Sequence, residues 1–210
     1  KPPPRGLLVA GSTSPPSGDV EIVAMIEAAG VDLSIVDDDS NLGAINPEDY
    51  DIIFISTSVV PGKVGATFKD TPVPVIVWEG YLFDDMALSS SGETTRTRTD
   101  ITVVDPIHPL AGGLDAGNHR VYTTAQKLSY GRPAPDAEIV AHEPGRAANA
   151  VIFNYDAGDL RIDATPAPGL RVALFPNYPG ALHLNETGHS LIATAIEWVL
   201  AGGPTANDDF

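Results

Sequence analysis

Residues 73–86 read VPVIVWEGYLFDDM: a β-branched, apolar run closed by Trp78, followed at once by a carboxylate, a glycine and a short acidic and aromatic segment. A continuous apolar run of this length is the pattern of a strand buried on both faces. Its abrupt stop at Glu79-Gly80 marks the edge of a sheet. Working outward, the same pattern recurs in GLLVAG (6–11), VDLSIV (31–36) and DIIFIS (51–56). Between the first two lies DVEIVAMIEAAG, where Ile22, Val23, Ile26 and Ala29 recur at helical spacing, with Asp19 placed to cap the helix and Gly30 to end it. PGKVGATFKD (61–70) offers one or two helical turns. Strands alternating with helical crossovers predict an α/β fold with a mainly parallel sheet covered on both faces.

After Met86 the character changes. ALSSSGETTRTRTD is polar and reads as an exposed hairpin or loop on the rim of the sheet. The strand-like runs ITVVD, HRVYTT, AEIVAH, ANAVIFNYD and LRVALFP then follow in quick succession, separated by Gly and Pro turns, and predict an antiparallel extension of the same sheet. A last helix starts at Asn185, buries Ile192, Ala195, Ile196 and Val199, and stops at Gly202-Gly203-Pro204. Residues 6–203 are expected to form one domain. KPPPRG reads as the end of a proline-rich linker, so residues 1–5 are expected to be a linker remnant and 204–210 a tail leading out of the domain; the reading favoured is an excised module of a larger chain, the alternative a cytoplasmic protein.

Charge and composition narrow the function classes. Twelve basic against 28 acidic residues give a net charge of −16 over 210 residues, which repels phosphate backbones and anionic membrane surfaces, so nucleic acid is not an expected partner. No run approaches the ~20 apolar residues of a membrane span. Cysteine is absent, which removes disulfides, thiolate metal sites and a cysteine nucleophile together.

In an open parallel sheet, ligands collect where the strands end. The residues to weigh are therefore Ser12, Thr13 and Ser14, Asp37 to Asp39, Thr57 and Ser58, and Glu79, Gly80 and Tyr81. GSTSPPSG is neither of the glycine-rich phosphate loops, and its two prolines remove two N–H donors, so a loop with a helix start outweighs a flavin-type phosphate site there. The three aspartates could meet a ribose hydroxyl or a cation such as Ca²⁺, or form a hydrated strand end. Glu79, flanked by aromatic and apolar residues, is expected to be partly desolvated and so to titrate in the range useful for acid or base work. The alternative is that it accepts backbone hydrogen bonds and pins its own turn. Gly80 would let the backbone approach a ligand. His108, in DPIHPLAGG, is the candidate acid-base partner of Glu79; otherwise it bonds its own turn. His183 and His189 lack a metal-ligand spacing, no metal or cofactor is expected, and no G-x-S-x-G string is present.

The order GLLVAGS, IVDDD, DYDIIFISTSV, GKVGATFKDTPVPVIVWEGYLFDDM, DPIHPLAGGL and LNETGHSLIATAIEWVL resembles the ThuA-like (trehalose-utilisation-like) branch of the class I glutamine amidotransferase-like superfamily, over residues 6 to 202. The resemblance implies a flavodoxin-like three-layer sandwich. Active members of the superfamily place a cysteine nucleophile on the turn after a central strand, where this chain has Trp78-Glu79-Gly80-Tyr81, so glutamine hydrolysis by that route is not expected. The implied function is a module of a secreted or cell-envelope bacterial protein that binds or hydrolyses a small polar ligand, a carbohydrate by family company. Glu79 and His108 would act as catalytic groups, and Ser12, Thr13, Thr57, Ser58, Gly80 and Tyr81 as the ligand-binding set. The rival readings are an accessory or interaction module with a structural turn, and a flavodoxin-like cofactor binder using Ser12 to Ser14.

Overall fold

The computed structural model describes residues 2–203; the tail at 204–210, with the expected helix stop at Pro204, lies outside the described residues. In chain order the strands are β1 (Arg5–Ala10), β2 (Asp32–Asp37), β3 (Ile52–Ile55), β4 (Val75–Val77), β5 (Gly92–Thr94), β6 (Asp100–Val103), β7 (Gly117–Arg120), β8 (Ser129–Gly131), β9 (Glu138–Glu143), β10 (Arg146–Tyr155) and β11 (Arg171–Ala173). The helices are α1 (Ser17–Ala28), the single turn α2 (Pro61–Val64) and α3 (Glu186–Leu200). One sheet takes the order β2-β1-β3-β4-β11-β10-β9-β6-β7, with β8 paired to β10 and β5 to β8.

β2, β1, β3, β4 and β11 are mutually parallel. β10, β9, β6 and β7 continue as antiparallel neighbours. LRVALFP was expected in the antiparallel extension; instead β11 pairs in parallel with β4 and carries the seam between the two halves. Periodicity cannot distinguish these cases, because a strand buried on both faces reads the same in either direction. β8, a three-residue strand, escaped the sequence reading altogether. β1 begins at Arg5, one residue into the expected linker, with its N–H donating to Asp51 at 2.7 Å.

Alternation along the parallel strands builds two cores. Leu8, Ile52, Phe54, Ile76 and Trp78 face α1 and α3, whose Ile22, Ile26, Ile192, Ala195 and Ile196 complete that layer. Leu7, Val9, Ile53, Ile55, Val75 and Val77 face the other side, closed by Val64 of α2 and by Phe68, Leu82, Phe83 and Met86 from irregular segments. The result is an α/β flavodoxin-like sandwich whose second outer layer is largely coil. Asn185 caps α3 by accepting from the Gly188 N–H at 2.9 Å, and Gly202, at φ 102°, turns the chain away after it. Among the described residues, no helix is long and apolar enough to cross a membrane.

Candidate functional site

Glu79 follows β4 at the edge where all the parallel strands end. Its backbone is unstrained (φ −76°, ψ 103°), and its Oε1 accepts the Tyr81 N–H at 2.9 Å, capping a 3-10 turn over Gly80–Leu82. The residue is 4% exposed. Burial pushes its carboxyl up to about 7, with the Tyr81 N–H pulling the other way. A carboxyl titrating there could exchange protons, but the surroundings leave a substrate little approach.

Gly80 was expected to let the backbone approach a ligand; in the structure the position a Cβ would take is filled by the Glu93 carbonyl and the Ser129 side chain, so what approaches it is another part of the chain. A Cβ on Gly92 would in turn collide with the Gly80 carbonyl. Ser129 Oγ donates to the Trp78 carbonyl at 2.7 Å. The glycines thus bring two backbones together, and the β5–β8 ribbon lies across the end of β4. The polar segment after Met86, expected as an exposed hairpin or loop, supplies this cover through β5, while its first residues, Ala87, Leu88 and Ser89, are buried.

His108 was expected to assist Glu79. It follows β6, which runs opposite to β4, so it emerges at the other edge of the sheet. There its Nδ1 accepts the Leu110 N–H at 3.0 Å, which leaves the hydrogen on Nε2, 3.1 Å from Glu138 Oε2. Its ring meets Trp198 edge to face, and Asn154 donates to the same Glu138 oxygen at 3.0 Å. The structure keeps His108 away from Glu79 and gives both ring nitrogens structural partners.

The crevice between β1 and β3, where the strand order reverses, holds Ser12, Thr13, Thr57 and Ser58. Asp19, expected to cap α1, lies in its first turn behind Pro16 and makes no cap bond. It is 1% exposed and accepts from the Ser56 and Ser58 hydroxyls, the latter at 2.5 Å. Ser58 Oγ also accepts the Gly11 N–H at 2.9 Å, and the Cβ site of Gly11 is blocked by the Ser58 carbonyl. Burial raises the Asp19 carboxyl, opposed by the two hydroxyls. Ser58 is therefore engaged in closing the crevice. Ser12 is half-buried, accepting from Ser14 N–H at 3.1 Å, and Thr13 is exposed. Asp19 was legible only as a helix start; the hydroxyls of STS (56–58), directly after a strand, were the signal that it has partners elsewhere.

Asp37, Asp38 and Asp39 bring carboxylate oxygens within 4.8 Å of one another. An internal cation already serves them: Lys63 Nζ lies 2.6 Å from Asp39 and 3.0 Å from Asp38, and Val60 N–H donates to Asp38 at 2.6 Å.

The same edge of the sheet also carries an open cleft of about 160 Å³, lined by Thr94, Thr95, Arg96, Tyr130, Glu143, Arg146 and Asn149. None of these was singled out from the sequence, since they come from β5 and the two residues after it, β8, β9 and β10, and converge only through strand pairing. Tyr81, 52% exposed, adjoins the wall, its hydroxyl 3.4 Å from Thr94 Oγ1. Glu143, 2% exposed, organises the floor: Arg98 meets its Oε1 at 2.6 Å, and Asn149 Nδ2 donates to its Oε2 at 2.7 Å.

No family model matches the chain, and no curated protein matches it in sequence. Solved structures do match across its length. A Thermoplasma acidophilum protein described as one of the subunits of GMP synthase is 15% identical, with 95% of this chain and 96% of that one covered and a TM-score of 0.59. A ThuA-like protein from Parabacteroides merdae is 13% identical over 99% and 94% of the two chains, TM-score 0.57. PurLQS from Thermotoga maritima gives 16% identity, 94% and 99% coverage and a TM-score of 0.53. The topology and these neighbours together establish that the chain has the fold shared by ThuA-like and glutamine amidotransferase-type proteins.

Proposed function

We propose that this chain is a ThuA-like module without glutaminase activity that binds a small polar ligand, a carbohydrate, and does not turn it over. The observation that carries the reading is the division of labour at the strand ends. Glu79, at the position after the central strand, is buried, bonded to its own turn, roofed by β5–β8 and separated from His108 by the width of the sheet. Beside it lies an open cleft whose planar polar groups, Arg96, Arg146 and Asn149, suit paired hydroxyls, with the half-exposed ring of Tyr81 as an apolar platform. A place in a secreted or multidomain bacterial protein belongs to the same reading and rests on the sequence resemblance.

Calorimetric titration of an oligosaccharide panel, followed by a reducing-end assay on the same mixtures, tests it. Binding without product is expected, Tyr81→Ala weakening it about tenfold and Glu79→Gln leaving it unchanged. Product formation lost in Glu79→Gln would replace the binding module with a carboxylate hydrolase.

A further inference from the structure

The chain is strongly acidic, yet four of its eight arginines, Arg96, Arg98, Arg132 and Arg146, gather around this one cleft. Glu143 holds Arg98 directly and lies 3.8 Å from Arg146 Nε, while the other nearby carboxylate, Glu93, is engaged by the Tyr130 hydroxyl at 2.6 Å. Arg132 lies over the Tyr130 ring at 5.9 Å from its centroid. Among the described residues, neither Arg96 nor Arg132 has a carboxylate within 4.0 Å.

A molecule with 28 acidic residues has ample partners for scattered arginines. Concentrating them around a concavity creates a local positive field: the buried Glu143 holds Arg98 closely but meets Arg146 only through Nε at 3.8 Å, so Arg96 and Arg146, the two arginines of the lining, keep guanidinium donors for a ligand, with Arg132 nearby and, among the described residues, unpaired. Guanidinium forks match carboxylates in two-point geometry, which a lysine could not supply. The cleft volume of about 160 Å³ is below the ~300 Å³ at which pockets for whole drug-sized ligands begin, so it takes one end group and leaves the rest of the ligand outside.

We propose that the cleft binds the carboxylate-bearing ring of an acidic sugar, a uronic acid residue, with Arg96 and Arg146 as the recognition pair, Glu143 as the positioning residue and Tyr81 at the mouth. This rests on the carbohydrate-binding reading above and names its ligand class.

The experiment is titration of the whole chain with D-glucuronate, D-galacturonate, D-glucose, D-galactose and D-glucose 6-phosphate, at low salt and in 0.5 M NaCl. Uronates are expected to bind at least tenfold more tightly than the neutral sugars, and to weaken in high salt. Arg96→Ala and Arg146→Ala should each remove that preference, while Tyr81→Ala weakens acidic and neutral sugars alike. Arg146 is largely exposed at its side chain, so this variant is expected to fold, with circular dichroism as the check. Equal binding of neutral and acidic sugars overturns the acidic-sugar inference and leaves the binding function standing. Tighter binding of glucose 6-phosphate than of glucuronate overturns the carboxylate assignment, and uronate binding unaffected by either arginine variant overturns the location. Binding of no sugar at all overturns the proposed function and this inference together.

Discussion

The parallel and antiparallel halves of the sheet hand over their next residues in different ways. In the parallel half, β1, β2, β3, β4 and β11 all end on one edge, so Gly11, Asp38, Ser56 and Glu79 are gathered there whatever their distance in sequence. In the antiparallel half, successive neighbours alternate, so β9 delivers Glu143 to that edge while β6 delivers His108 to the opposite one. Two titratable residues that each follow an apolar strand are brought together in the first case and parted in the second. Strand direction thus decides which side chains can cooperate, and the parallel half uses its shared edge for mutual closure. The β5–β8 ribbon and the start of β10 turn the neighbouring rim into the open site.

The strongest way to break this picture is at the seam. Arg171 is fully buried in β11, and its guanidinium donates to the carbonyls of Val73 and Leu170 at 3.1 Å, of Lys69 at 3.2 Å and of Thr71. Burial lowers its pKa to about 10, which still leaves it charged at neutral pH. Truncation orphans those carbonyls and opens a cavity, so Arg171→Ala is expected to cost about 4 kcal/mol in urea unfolding. A loss under about 1 kcal/mol would mean that the carbonyls before β4 find other donors when the guanidinium is removed.

Next comes Glu79. Its carboxyl titrates at about 7 folded against an ordinary 4.5 unfolded. Between those values the native state keeps a proton that the unfolded chain has released, so stability is highest below pH 4.5 from this group and falls as pH rises through 7. The loss amounts to about 3 kcal/mol. Glu79→Gln keeps an acceptor for the Tyr81 N–H without the charge, and its stability advantage over the native chain should grow from pH 5 to pH 8 by roughly that amount. An advantage independent of pH would show a well-solvated carboxylate.

Smaller again is the ribbon contact. Gly92→Ala forces a methyl group against the Gly80 carbonyl, and about 2 kcal/mol of destabilisation is expected, together with weaker ligand binding as the β5–β8 ribbon shifts. Asn185→Ala, which removes only the cap of α3, should cost about 1 kcal/mol and leave ligand binding alone. If the two variants affected binding equally, the distinction between rim and scaffold would fail.

Much of the fold was legible because the apolar runs of β1, β3 and β4 and the stripe of α3 are local signals, set by periodicity within a few residues. The end of β4 and the desolvation of Glu79 were also visible, since flanking aromatics announce burial. What was hidden is pairing at a distance. The direction of β11 depends on partners 96 positions away, the meeting of Thr94, Tyr130, Glu143 and Asn149 on residues up to 55 positions apart, and the three residues of β8 on pairing with β5 and β10. Nor did local pattern separate Glu79 from His108, or reveal that Asp19 reaches the hydroxyls after β3.

The most direct test of the sealed strand end is a carbon-detected NMR titration of the Glu79 carboxyl in the native chain and in His108→Gln. A midpoint near 7, unmoved by the histidine substitution, is the expected result. A midpoint near 4.5, or a shift of more than about half a unit on replacing His108, would contradict the account, because it would place Glu79 in open solvent or in electrostatic contact with His108.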